Sequence, residues 1–220
     1  MPSFLPDTRL MARAAFLAER GRGRTHPNPI VGAVVVSPDG VIVGQGAHLR
    51  AGEPHAEIHA LDMAGPAAQG ATLYCTLEPC CHVGRTGPCV ERIVASGIRR
   101  VVTAIEDPNP FVAGKGHAWL RDHGVEVVTG VGADAARAQN APFLIWITEG
   151  RPWTMLKTVV SEDGRVGAPR QRLSGPAADR FLHRQRAWID ALAVGAGTVL
   201  ADDPQLTPRG AWRERPLTRV

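Results

Sequence analysis

Tyrosine occurs once in this 220-residue chain and phenylalanine five times. So few stacking rings argue against a surface that reads nucleic-acid bases. Arginines supply nearly all the positive charge, and they are scattered along the chain, almost all of them singly, so the net charge of +4 reads as a solvated surface. No apolar run approaches the roughly 18 residues of a membrane span. The first residues, broken by Pro2, Pro6 and Asp7, lack the charged-then-apolar layout of an export signal, so a cytoplasmic protein is expected. Cysteine is confined to positions 75, 80, 81 and 89. A disulfide framework would spread its cysteines to staple distant segments. This cluster points instead to metal binding or catalysis.

Apolar periodicity predicts the local structure. Leu10, Ala14 and Leu17 share a stripe on a helix over 7–20 that Gly21 and Gly23 end. Ile30 to Val36 reads as a strand, Ser37-Pro38-Asp39-Gly40 as a turn, and Val41 to Val43 as its hairpin partner. A helix opens near His55, followed by a strand over 71–77 and a helix from Pro88 with Val90, Ile93 and Val94 inward. Strand 99–105, helix 116–123, strand 125–129 and helix 132–140 complete the alternation, which implies a largely parallel sheet covered on both faces. The polar stretch from Thr148 to Pro152 marks a boundary, giving domains 1–147 and 148–220. The second is read as a strand over 153–161, a helix over 176–188 and a strand over 190–195. It is small for an independent core, and is expected to be incomplete.

The chemistry concentrates in two short segments, Pro54-His55-Ala56-Glu57 and Glu78-Pro79-Cys80 to Pro88-Cys89. One imidazole and two thiolates, His55, Cys80 and Cys89, leave a fourth tetrahedral position open on zinc, as catalytic sites require. In mid-helix, residues two apart diverge by about 200°. At a helix start, His55 can ligate while Glu57 stands beside the metal as proton shuttle. Both cysteines are expected at helix beginnings, where main-chain N–H groups favour thiolate. The order His-x-Glu then Pro-Cys is that of zinc deaminases, in which the glutamate is no ligand. However, eight residues separate Cys80 from Cys89, where nucleoside and tRNA base deaminases have a tight turn.

Among the remaining candidates, His59 is expected to pack or face solvent, since a zincin pair needs glutamate where Ala56 stands. Cys81 is the weaker ligand by the Pro-Cys register, and Cys75 reads as a buried small hydrophobe. Lys115 lies in a glycine-flanked surface turn that lacks the pattern of a phosphate-binding loop. A purely structural zinc site would need a fourth protein ligand and would leave Glu57 without a task.

Residues 26–32 (HPNPIVG), 51–61 (AGEPHAEIHAL), 76–89 (TLEPCCHVGRTGPC) and 106–116 (EDPNPFVAGKG) resemble the deaminase half of the bifunctional riboflavin-biosynthesis deaminase–reductases. Residues 194–209 (VGAGTVLADDPQLTPR) resemble the early part of the reductase half. The resemblance implies a cytidine-deaminase-like three-layer α/β/α domain with a mixed sheet, followed by the N-terminal part of a dihydrofolate-reductase-like α/β domain. It implies Zn2+ and hydrolytic deamination of 2,5-diamino-6-(5-phosphoribosylamino)pyrimidin-4-one, with Glu57 moving protons. By the same likeness Asn28 and His48 contact the base, and His82 and Arg85 the ribose phosphate.

In the second half the resemblance implies NADPH, held by Thr198 and Asp202, and a substrate held by Arg186, Leu206 and Arg209. Ser161-Glu162-Asp163-Gly164 and Arg172-Leu173-Ser174 depart from that family's pattern, so reduction by this polypeptide alone is not expected. The implied partner is the small phosphoribosyl pyrimidine, without nucleic acid or membrane, and a homo-oligomer is expected. The competing readings are a nucleoside or tRNA base deaminase of the same fold, and a zinc-stabilised interaction module.

Overall fold

The computed structural model describes residues 5–82, 87–110, 112–165 and 174–220. Contacts divide it into two units, Met1–Trp153 and Thr154–Val220. No helix among the described residues is long and apolar enough to cross a membrane.

The first unit is built on five strands: β1 (Gly32–Val36), β2 (Ile42–Ala47), β3 (Thr72–Leu77), β4 (Arg100–Ile105) and β5 (Glu126–Thr129). Their order across the sheet is β2-β1-β3-β4-β5. β1 pairs antiparallel with both β2 and β3, while β3–β4 and β4–β5 are parallel. The sheet is therefore mixed, the parallel half lying where helices alternate with strands. β1, with the sequence GAVVV, is buried at every position, as befits a central strand covered on both faces.

Register fixes which helix covers which face. Gly32 lies opposite Ala47, and Ala33 opposite Gly46, so Gly32 and Gly46 point to opposite faces. A Cβ on Gly32 would come within 2.0 Å of the Ala14 carbonyl in α1 (Asp7–Ala18). A Cβ on Gly46 would come within 2.1 Å of the Ala56 carbonyl in α2 (Ala56–Ala64). Helix backbones thus rest directly on the sheet from either side, and only glycine permits that approach. On the α1 face lies α5 (Ala133–Gln139); on the α2 face lies α3 (Cys89–Ala95), which buries Val90 and Ile93. The result is three layers, α/β/α. α4 (Lys115–Asp122) packs beside β5.

This topology gathers five chain segments at one edge of the sheet. The parallel strands β3 and β4 end there at Leu77 and Ile105, and the antiparallel β1 begins there. β2 ends there too, so His48 and then the start of α2 follow at the same edge; the His48 N–H bonds the Val31 carbonyl at 2.9 Å. A crevice beyond the carboxyl ends of parallel strands is where such sheets place ligands.

Around the end of the first unit the expectations need correction. Residues 141–149 form α6 (Ala141–Glu149), which the periodicity missed because APFLIWITE is apolar nearly throughout and Pro142 reads as a breaker. Pro142 sits in the first turn, where proline costs no hydrogen bond. Residues 153–161 form no strand: only Val160 makes a bridge, and Leu156 is 86% exposed. Composition that favours a strand makes one only where a second segment supplies the ladder, and among the described residues none does so over 153–159.

The second unit contains α7 (Pro176–Trp188) and α8 (Ala196–Asp202). The strand expected over 190–195 shortens to β6 (Ala191–Leu192), paired parallel with β7 (Thr218–Arg219). Arg213 Nη1 donates to the Arg186 and Ile189 carbonyls at 2.8 and 2.6 Å, closing the C-terminal end of α7.

Asp7, in the first turn of α1, ties that helix to two strands. It accepts from the Tyr74 hydroxyl at 2.6 Å and from the Arg100 guanidinium at 2.8 and 3.2 Å. The Arg100 bond holds the Asp7 carboxyl below its usual 3.8. A carboxyl depressed in the folded state stabilises above its unfolded value and loses that contribution as the pH falls through the folded one. Asp7→Asn should therefore cost about 1 kcal/mol at pH 7. Urea unfolding should show the gap closing as the pH is taken well below 3.8.

Candidate active site

The N-cap of α2 is His55, in extended backbone (φ −73°, ψ 165°), and Glu57 is the second residue of that helix. Both can therefore face one centre despite their spacing. Cys89 is the first residue of α3, after Pro88 at its N-cap. Cys80 is not at a helix start, contrary to expectation. It lies in the loop after β3, and its Sγ accepts the Cys89 N–H at 3.4 Å while its carbonyl accepts the Val90 N–H at 3.3 Å. The thiolate thus gains helix N–H bonding from α3 across space.

His55 Nδ1 lies 3.2 Å from Cys89 Sγ and 3.5 Å from Cys80 Sγ. All three ligand atoms fall within 4.8 Å of one another. Tetrahedral zinc at ordinary bond lengths separates nitrogen from sulfur by about 3.6 Å, so these donors suit that ion. The Cys80 thiol is brought down to about 4, first by the hydrogen bond from Cys89 and then by that from His55. Cys89 is pushed the other way by its bond to Cys80 and by burial. The bond to Cys80 also raises His55. Glu57 is 3% exposed, and burial raises its carboxyl above the usual value. A carboxyl held in such a setting is suited to taking and returning protons.

A cavity of about 370 Å³ opens beside the cluster, and Asn28, His48, His55, Glu57, Cys80 and His82 all line it. His48 is buried, which lowers its pKa and favours the neutral ring. Its Nδ1 faces the Pro54 carbonyl at 3.3 Å, so the proton belongs there and Nε2 is left to accept from Asn28 Nδ2 at 3.5 Å. With its amide nitrogen so directed, Asn28 presents its oxygen elsewhere. Arg85 lies outside the described residues, as do Arg172 and Leu173.

Among the lining residues to which the sequence reading gave no role are Asp107, Asn109 and Phe143. The first two stand at the carboxyl end of β4 in an Asp-Pro-Asn turn, and that position was their available signal. Burial, and then the charge of Glu78, push Asp107 up to about 6. Glu78 itself, two residues before Cys80, was also missed. Its carboxylate is buried and accepts three main-chain N–H groups, from Asp107 at 3.1 Å, Gly114 at 2.9 Å and His117 at 3.1 Å.

The remaining candidates stand apart. Cys75 is fully buried in β3, where burial lifts its thiol well above the usual value, and Cys81 lies outside the ligand group. Lys115 is exposed, its Nζ on the Pro110 carbonyl at 3.0 Å. In the second unit Arg186, Leu206 and Arg209 line a separate cavity of about 200 Å³. Thr198 and Asp202 do not line that cavity; they stand one turn apart on α8, both open to solvent.

Comparison with known proteins follows the same division. Residues 6–105 match the cytidine and deoxycytidylate deaminase zinc-binding region, and residues 152–220 match the RibD C-terminal domain. The chain is 49% identical to the riboflavin biosynthesis protein RibD of Escherichia coli, over 96% of this chain and 57% of that protein. It superposes on RibD of Acinetobacter baumannii with a TM-score of 0.82 at 45% identity, covering 91% of this chain and 57% of the other. A diaminohydroxyphosphoribosylaminopyrimidine deaminase/5-amino-6-(5-phosphoribosylamino)uracil reductase of Thermotoga maritima gives 0.82 at 38% identity, covering 97% and 62%. The chain thus spans about three fifths of the length of these relatives.

Binding a divalent metal between these donors must expel whatever protons the two thiols and His55 carry. Zinc uptake near neutral pH, followed with an indicator in weak buffer, should therefore release protons, and affinity should fall as the pH is lowered. Cys89→Ala should weaken zinc binding at least about 100-fold, with less proton release.

Proposed function

We propose, on the premise that this chain belongs to the riboflavin-biosynthesis deaminase–reductase family over the part of those proteins that it spans, that its first domain is a zinc-dependent deaminase. The observation that carries this reading is the convergence of one imidazole nitrogen and two sulfurs within 4.8 Å, beside a cavity that Glu57 also lines. Three protein ligands suit a metal that works on a substrate, and a purely structural centre would take a fourth.

The substrate proposed is 2,5-diamino-6-(5-phosphoribosylamino)pyrimidin-4-one, and the product 5-amino-6-(5-phosphoribosylamino)uracil. When bound by His55, Cys80 and Cys89, zinc supplies a Lewis acid that makes water acidic near neutrality. Glu57 takes a proton from the attacking water and places it on the ring nitrogen beside the reacting carbon. It then carries the second proton to the departing amino group. The C–N bond to that group breaks, a C=O bond forms, and one water is consumed per ammonia released. Asn28 and His48 orient the ring, with the Asn28 amide directed by neutral His48. His82, exposed at the cavity wall, and Arg85 are assigned to the ribose phosphate, which an arginine fork suits.

The same premise makes 1–147 the deaminase domain and assigns 148–220 to part of a reductase domain. There Thr198 and Asp202 would hold NADPH; a hydroxyl and a carboxylate one turn apart, open to solvent, are placed to meet its polar groups. Arg186, Leu206 and Arg209 would hold the substrate, and the cavity they share supports that grouping. A small-molecule-sized cavity favours a metabolite over a nucleic acid. The reading further includes a cytoplasmic homo-oligomer, and exposed Phe181, Leu200 and Trp212 offer apolar surface for association.

Ammonia assay paired with metal analysis tests the central assignment. Glu57→Gln should lose ammonia release by about 1,000-fold while retaining zinc. Ammonia release equal to the parent would refute the role of Glu57, and loss of zinc would make it a ligand.

A further inference from the structure

Between α5 and α6 lies Asn140, 3% exposed and far in sequence from every residue of the metal cluster. Its side-chain amide bonds both ways to one residue: Oδ1 accepts the Ile30 N–H at 2.9 Å and Nδ2 donates to the Ile30 carbonyl at 2.9 Å. That is the bonding a neighbouring strand would give, supplied by one side chain. Ile30 stands two residues after Asn28, on the segment that runs into β1. A buried amide whose donor and acceptor are both engaged resists displacement, because either group left unpaired would be costly.

The Asn140 carbonyl also accepts the Leu144 N–H at 3.0 Å, which starts α6. Phe143, in that first turn, reaches the cavity shared by Asn28, His48 and Glu57. No residue of α6 is fully buried, so packing alone anchors the helix weakly. One side chain therefore connects two walls of the cavity, the one that carries a polar amide and the one that carries an aromatic ring.

We propose that Asn140 is a positioning residue for the deamination, fixing Asn28 through the Ile30 main chain, and that Phe143 is the apolar wall against which the substrate's pyrimidine ring packs. This inference rests on the deaminase reading above. A flat heteroaromatic ring gains from an aromatic face or edge beyond simple burial. Neither residue moves protons, so both act on binding of the ring and not on the chemical step.

The test uses the full chain loaded with zinc. Binding of 2,5-diamino-6-(5-phosphoribosylamino)pyrimidin-4-one is measured by calorimetry in the Glu57→Gln background, where turnover does not interfere. Phe143→Ala should weaken binding about tenfold, and Phe143→Tyr should restore it. Asn140→Ala should weaken binding several-fold, with faster amide hydrogen exchange over residues 28–31 and unchanged zinc content. With Glu57 present, the same substitutions should raise KM and leave kcat per bound zinc within about twofold.

Asn140→Ser, whose hydroxyl can still pair with one Ile30 group, provides a milder arm if Asn140→Ala does not fold. A purely structural role would lower zinc content and folded fraction and leave the KM of the folded remainder unaltered, and that result overturns the inference. If the Glu57→Gln parent binds the pyrimidine and its Phe143→Ala and Asn140→Ala derivatives bind it equally well, this inference alone fails. If the parent does not bind it at all, the deaminase reading fails and takes the inference with it.

Discussion

A carboxylate with no access to water can be tolerated only where its charge is met, and Glu78 meets its charge with main chain. Its two oxygens take N–H groups from Asp107, Gly114 and His117, while its own N–H continues the ladder to Ile105. Three backbone positions on the segment after β4, and Ile105 at the end of β4, are thereby referred to the end of β3. Removing the carboxylate would strand several buried donors, each far more costly to orphan than to satisfy. Because Cys80 follows two residues later, the bonds that shape the cavity wall also locate one of the sulfurs. His117, buried beside Glu78, uses its Nε2 on the Thr103 hydroxyl at 3.0 Å, which fastens the same corner to β4.

The site is therefore divided between two kinds of scaffolding. Two metal donors come from helix starts, and the third, Cys80, from the loop after β3 that is bonded to one of those starts. Residues facing the proposed substrate come from connecting segments, at 28, 48, 82, 107 and 109, several of which are held by individual polar bonds. This division lets ring recognition change without moving the imidazole and the thiolates.

What could be read in the sequence follows the same line. The stripe Leu10–Ala14–Leu17, the β-branched strands and the histidine–glutamate pair at a helix start all depend on local periodicity or on spacing along the chain, and the structure has them. The three layers follow from alternation of elements, and Gly32 and Gly46 make that layering close-fitting. What escaped notice depends on partners distant in sequence. Glu78 looks like any exposed acid until 107–117 folds over it, Asn140 pairs with a residue 110 positions away, and α6 is too uniformly apolar to show a face. The run near Leu156 errs the other way: its composition favours a strand, but a strand exists only when another chain segment lies beside it, and among the described residues none pairs with 153–159.

The connection from Cys80 to Cys89 is closed at its root. Both the thiol and the carbonyl of Cys80 accept N–H groups from the first two residues of α3. Whatever length of chain lies between, its ends meet at a junction already fastened, and lengthening such a closed excursion costs little conformational entropy. Insertions there are accordingly a low-risk currency for evolution. A lineage can redesign that excursion while inheriting its inorganic chemistry intact, and a protein engineer can transplant it between relatives on the same terms.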